Sequence, residues 1–152
     1  MPRTLEITLL FLQSFHVAFL LLHDWISLGH LNDIAAVRRA NSTQALLAGT
    51  LLSSAPFLFG LAACLRDYGH PYPQWLHIWL WASYGLLFFG ELRAWWIPYL
   101  FHADPALVVR YKSMFGRTHS FLPVRNGIVP NTLHVTLHLA TLATLLLLSR
   151  LP

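Results

Sequence analysis

The sequence predicts an all-α integral membrane protein, a four-helix transmembrane bundle forming a single domain over residues 1–152, and three observations lead there. Of the 152 residues, 56% are hydrophobic and only 11% are charged, against roughly 25% charged in an ordinary soluble domain. Four apolar stretches, at about 5–28, 45–65, 75–97 and 128–150, approach or exceed the roughly 20 residues that cross a hydrocarbon core. The polar residues inside these stretches recur at helical spacing, as if gathered on one face of each. Little chain remains for a soluble domain, and no internal repeat or low-complexity tract interrupts the pattern.

The first stretch follows Arg3, contains Glu6, Gln13 and His16, and lacks a small-residue cleavage site. It is therefore expected to be a retained span and not a secretory signal. The connection after it, NDIAAVRRANST from Asn32 to Thr43, can hold a short helical turn. Asn41 or Ser42 would then cap the second span by accepting a bond from its free amides. Pro56 sits inside that span and removes one backbone hydrogen bond, which predicts a bend. The second connection, RDYGHPYPQW, reads as a tight aromatic and proline-rich loop.

The third span runs into ELRAWWIPYLF, which has the aromatic density of an interfacial belt. In the long third connection, over about 98–127, DPALVVRYKSMFG opens with Asp104 as N-cap and Pro105 at the first helical position, then closes at Gly116. An amphipathic helix over about 105–115, lying in the membrane interface, is expected.

The net charge of +4 lies between the spans, which points to lipid headgroups as partners and not to nucleic acid. Arg38 and Arg39 fall in the first connection, and Arg110, Lys112, Arg117 and Arg125 in the third. These two connections share one side of a four-span protein. The other side holds only Arg3, Arg66 and Arg150, so the positive-inside rule predicts a multi-pass protein with both termini on the non-cytoplasmic side. Cys64 is the single cysteine, which rules out an internal disulfide and any cysteine-based metal motif.

Residues seven apart on a helix are offset by only about 20°. Gln13, His16, His23, Ser27 and His30 thus form one expected stripe, with Asp24 at its flank. In the third span His77, Tyr84 and Glu91 align, with Trp95 close to the same line; in the fourth, Asn131, His134, His138 and Thr141 share a face. The second span contributes Thr50, Ser53 and Ser54. A charged group facing acyl chains costs at least about 2.5 kcal/mol, so such stripes should turn inward. The expectation is one polar pocket in the cytoplasmic half of the bundle, roofed by the basic connections. Arg93, two residues from Glu91, should point away from it.

The candidates divide by chemistry. Asp24 and Glu91 suit proton donors or counter-ions to a cationic ligand, with His134 and His23 as proton acceptors; structural pairing is the competing reading of each. Tyr84, Asn131, Trp95 and Thr50 are the candidate ligand contacts. His134 and His138, one turn apart, together with His23, can instead be read as ligands of a metal or haem, or as groups that hold neighbouring helices together.

Three short segments carry a resemblance: HVAFLLLHD ending at Asp24, APF at Pro56 and Phe57, and PNTLH at 130–134. In that order they are similar to the emopamil-binding protein superfamily, small polytopic membrane proteins that include sterol isomerases. The resemblance implies an intramembrane cavity for a sterol-like or cationic amphiphilic ligand, with Asp24 handling a proton or an ammonium group. The expected function is therefore binding of a lipophilic small molecule, extending to proton-transfer chemistry such as isomerisation, with no cofactor. The alternatives are a histidine-ligated metal or haem enzyme or electron carrier, a proton-coupled transporter, and a structural subunit of a membrane complex.

Overall fold

The computed structural model describes residues 3–151, and among them it is all-helical apart from turns and one isolated bridge between Arg125 and Ile128. Helix α1 spans Arg3–Leu22, α2 Ile34–Ala40, α3 Thr43–Arg66 and α4 Gln74–Glu91. A π-helical turn, Leu92–Trp96, leads from α4 into α5, Ile97–Leu100; α6 spans Pro105–Phe115 and α7 Thr132–Leu148. Helix α1 packs against α3 and α7, and α4 against α3 and α7.

Two of these helices, α1 and α3, are each long and apolar enough to cross a membrane, with mean hydropathy of 1.9 and 1.7. The expected third and fourth spans are less apolar or shorter. Helix α4 is diluted by Gln74, His77, Tyr84, Glu91 and its tryptophans, whose N–H and O–H groups are polar. Helix α7 has 17 residues, the lower end of what spans a hydrocarbon core. Helical structure nevertheless runs on from Gln74 through the π turn to Leu100, a rod of about 40 Å at the α-helical rise.

The first helix ends at Leu22, earlier than the expected 28, and this breaks the expected stripe. The cause is local. Asn32 donates to the carbonyls of His23 and Ile26 at 2.7 and 2.8 Å and accepts from the Leu28 amide at 2.7 Å, folding residues 23–32 into a knot. Gln13 and His16 stay on the buried face of α1, His23 follows its end, and Ser27 and His30 are exposed in the turn. In the fourth stretch, residues 128–131 precede the helix instead of belonging to it, and Asn131 is its N-cap.

The capping signals act as their chemistry dictates. Ser42 accepts from the Ala45 amide ahead of α3, and Asp104 from the Ala106 amide ahead of α6. Asn41 instead donates to the Val37 carbonyl, at the end of α2. Helix α3 runs unbroken through Pro56, whose carbonyl accepts the Trp79 indole N–H at 3.0 Å.

Two apolar clusters hold the elements. The larger joins α1, α3, α4 and α7 through Leu9, Leu20, Phe57, Leu76, Leu80 and Leu137. The smaller joins Trp95, Tyr99, Ala103 and Ile128, with Tyr111 and Phe115 of α6 packed on it. The apolar face of α6 that the sequence assigns to lipid is thus spent partly on protein. Pro98 lacks the amide that would serve the Ala94 carbonyl, and the Tyr111 hydroxyl donates to that carbonyl at 2.8 Å. Burial pushes the Tyr111 phenol above its ordinary value, against a smaller opposing effect of Arg110.

The distribution of polarity is inverted. Gln13, His16 and Thr141 are 0% exposed, whereas Phe11, Leu52 and Leu86 are 70%, 77% and 72% exposed. At one end, α2 packs on α6 and the His119 amide donates to the His30 carbonyl at 2.7 Å, so the first and third connections lie together. At the other, Glu6 accepts from the Gly69 amide of the second connection at 2.9 Å.

Candidate functional site in the bundle interior

A cavity of about 370 Å³ lies where α1, α4, the π turn and α7 meet, and His23, Glu91, Trp95, His134 and His138 all line it. The remaining wall is mainly apolar, including Phe19, Leu86 and Leu137. A roomier depression of about 710 Å³ lies among the connections around His30, Asp33, Arg38 and Arg117. Its walls are largely exposed, whereas Glu91, Trp95 and His138 in the smaller one are buried.

Each histidine in this cavity has a ring nitrogen already committed, and the commitment fixes what the other nitrogen can do. His134 Nδ1 donates to Asn131 Oδ1 at 2.7 Å, which leaves its Nε2 with a lone pair. His138 Nδ1 accepts the Trp96 indole N–H at 3.1 Å, so in the neutral ring the proton sits on Nε2. His23 Nδ1 donates to the Phe19 carbonyl at 2.9 Å, and its Nε2 is 3.3 Å from Asp24 Oδ1, an ion pair when the ring carries both protons. The His134 ring is walled by Trp95 at 4.6 Å, Phe115 at 5.2 Å and His23 at 6.0 Å between centroids.

Glu91 ends α4 at 5% exposure, and its Oε1 accepts the Thr141 hydroxyl at 2.8 Å. Its Oε2 is buried with no partner in the protein. The π turn begins one residue later. Such a turn adds a residue to the helix and changes its phase, so Trp95 reaches His134 while Trp96 reaches His138. Arg93 is exposed, away from Glu91.

The other sequence candidates lie elsewhere. Asp24 does not line the cavity and touches it through His23. Asn131 orients His134 from the N-cap position. Tyr84 is buried against His16 and Phe57, with centroids 5.0 Å away in each case, and its hydroxyl has no partner. Thr50 accepts the Trp25 indole N–H at 2.9 Å, where α3 meets the turn after α1. Trp96 reads in the sequence as part of an aromatic belt, because it falls off the seven-residue line, which only the π turn redraws.

Among the described residues, no group of three or more His, Cys, Asp or Glu side chains is gathered so as to hold a metal ion. The His134 and His138 rings are 6.3 Å apart at 59°, each tied to a different partner. His23, the third proposed ligand, is turned towards Asp24.

No family model, curated protein or solved structure matches this chain.

Proposed function

We propose that this chain is a multi-pass membrane protein whose four long helical segments, α1, α3, α4 with its continuation, and α7, form a transmembrane bundle that binds a lipophilic small molecule in the cavity beside Glu91. The observation that carries the reading is Glu91 itself. A buried carboxyl with one oxygen unpartnered lines a mainly apolar cavity together with three histidines. Intramembrane ionisable groups of this kind face cavities and serve ligands or protons.

The inverted polarity supports the membrane setting, since an apolar exterior around a polar interior suits lipid and not water. The exposed cations of the first and third connections, Arg38, Arg39, Arg110, Lys112, Arg117 and Arg125, gather at the end where those connections pack together. That favours the cytoplasmic leaflet for this end and non-cytoplasmic termini. The three segments that resemble the emopamil-binding superfamily approach one another: His16 stacks on Phe57 at 6.3 Å and Phe19 meets His134 at 6.3 Å.

In the chemical extension of this reading, Glu91 donates a proton to one carbon of a ligand double bond, the other carbon becomes cationic, and His134 Nε2 removes a proton from the next carbon beyond it. The double bond shifts and composition is unchanged, so no oxidant or cofactor is required. Asp24 orients His23, a second acceptor at the rim.

The test is photolabelling in mild detergent with an alkylamine amphiphile bearing a diazirine. Labelling concentrated on 86–95 and 134–138, suppressed by excess unlabelled alkylamine and lost in Gly90→Trp, is the expected result. Labelling spread over the outer faces of α1 and α3, without competition, overturns the reading.

A further inference from the structure

Glu91, Thr141 and His16 join α4, α7 and α1 through contacts that one hydroxyl proton cannot satisfy. Thr141 Oγ1 is 2.8 Å from Glu91 Oε1 and 3.1 Å from His16 Nε2. His16 Nδ1 is 2.7 Å from the Leu12 carbonyl. A carbonyl only accepts, so the Nδ1 proton is fixed in that bond and Nε2 is left to Thr141. The two contacts around Thr141 Oγ1 each need a proton, and the hydroxyl supplies one. The second must reside on Glu91 or on His16.

We propose that Glu91, Thr141 and His16 form a buried proton-exchange site, in which one mobile proton passes between the Glu91 carboxyl and the His16 imidazole through the Thr141 hydroxyl. In one form the Glu91 O–H donates to Thr141, and Thr141 donates to His16 Nε2. In the other the Nε2–H donates to Thr141, and Thr141 donates to the Glu91 carboxylate. The passage breaks the Glu91 O–H and the original Thr141 O–H, and forms a new Thr141 O–H and a His16 N–H. No electron is transferred, and the three side chains sum to zero charge in both forms. One further proton can be held if Thr141 turns its hydrogen to the Leu137 carbonyl, 3.1 Å away, and accepts from both neighbours.

The surroundings keep water out and leave few competing charges. His16 and Thr141 are 0% exposed. Tyr84 from α4 meets the His16 ring edge-on at 5.0 Å, and α3 presents Phe57 at 6.3 Å, with Cys64 further along that helix. His23, His134 and His138 face Glu91 across the cavity. The exchange site therefore has one end at the cavity and the other sealed in the core. What the proton is for rests on the ligand reading above: Glu91 could be recharged from His16 while a lipophilic molecule closes the cavity. The exchange itself needs no ligand.

The experiment is magnetic resonance on the full chain in detergent, with ¹⁵N-labelled histidine and ¹³C-carboxyl-labelled glutamate and no ligand present. Glu91→Gln is expected to change the proton affinity of His16 at least about tenfold, a coupling strong enough to make the pair titrate as a unit. In a Thr141→Val background the same substitution should change it less than about twofold, and Thr141→Ser should restore the coupling. An equal effect in both backgrounds overturns the proposal in favour of through-space electrostatics; no effect in either also overturns it. If Thr141→Val does not fold, the unaltered protein decides. The His16 Nε2 and Glu91 carboxyl signals must then both move in every titration step of the pair, and steps reported by one group alone overturn the proposal. Coupling without competitive photolabelling would sink the ligand reading alone, and photolabelling without coupling would sink the exchange site alone.

Discussion

Successive turns at the inner end of α1 bury polar side chains alike but equip them differently. Midway along the helix, Gln13 is 0% exposed and neither atom of its side-chain amide has a partner, and on the second connection the Tyr72 hydroxyl is also bare. One turn later His16 engages both Leu12 and Thr141, and just past the helix end His23 engages Phe19 and Asp24. An unpartnered buried polar group carries a desolvation penalty of about 1–3 kcal/mol, whereas a partnered one contributes modestly. Inward polarity alone therefore does not mark a site. Fixed orientation does, and it is found at the end of the helix that meets the cavity.

That contrast can be broken by substitutions read out as unfolding in detergent. The largest effect is expected outside both polar sets, at Leu76, which is 0% exposed in the larger apolar cluster. Leu76→Ala should lose about 3 kcal/mol, as large-to-small core changes do. If it loses less than about 1 kcal/mol, the apolar cluster is not what holds the four helices together. His16→Leu should lose about 2 kcal/mol, because it strands the partners of a buried imidazole.

Gly127→Ala is expected to lose about 1–3 kcal/mol. Its φ of +75° favours glycine, and a Cβ there would lie 2.7 Å from Val108 Cγ1. The loss should appear as loosening of α6, followed by hydrogen exchange. Gln13→Leu should be neutral or stabilising by up to about 1 kcal/mol, since it removes two unpartnered atoms. A loss of 2 kcal/mol or more there, on the same scale, would show that the Gln13 amide has partners the contrast denies it.

The smallest effect concerns pH. Burial raises the folded-state pKa of Tyr111, so its contribution is complete below the unfolded value of about 10 and is lost as pH rises through the folded one. An alkaline absorbance titration should lose a late-titrating tyrosine in Tyr111→Phe.

How much was legible in the sequence depended on how local the determinants were. The Asp104, Pro105 and Gly116 signals give α6 over Pro105–Phe115, because caps act within four residues. The inward faces of α1, α4 and α7 followed from seven-residue spacing wherever the helix was regular. That spacing failed after Leu22, where Asn32 reaches back nine residues to tie off the helix, and after Glu91, where the π turn alters the phase. The Asn126–Gly127 turn, at φ of +50° and +75°, carried the strongest short-range hairpin signal in the chain. Among the described residues only the isolated Arg125–Ile128 bridge flanks it, so that signal closes a loop and not a hairpin. The bonds among Glu91, Thr141 and His16 join residues up to 125 apart, and no periodicity within one helix reveals which partner another helix will bring.

The π turn makes the cavity wall length-coded. Trp95 and Trp96 face His134 and His138 because of how many residues separate them from Glu91, more than because of which residues those are. Removing a single residue between 92 and 94 would take out the extra residue that the π turn accommodates, return the segment to ordinary α-helical bonding and shorten the spacing from Glu91 to both indoles. Along this segment the residue count, as much as residue identity, sets which side chains meet α7.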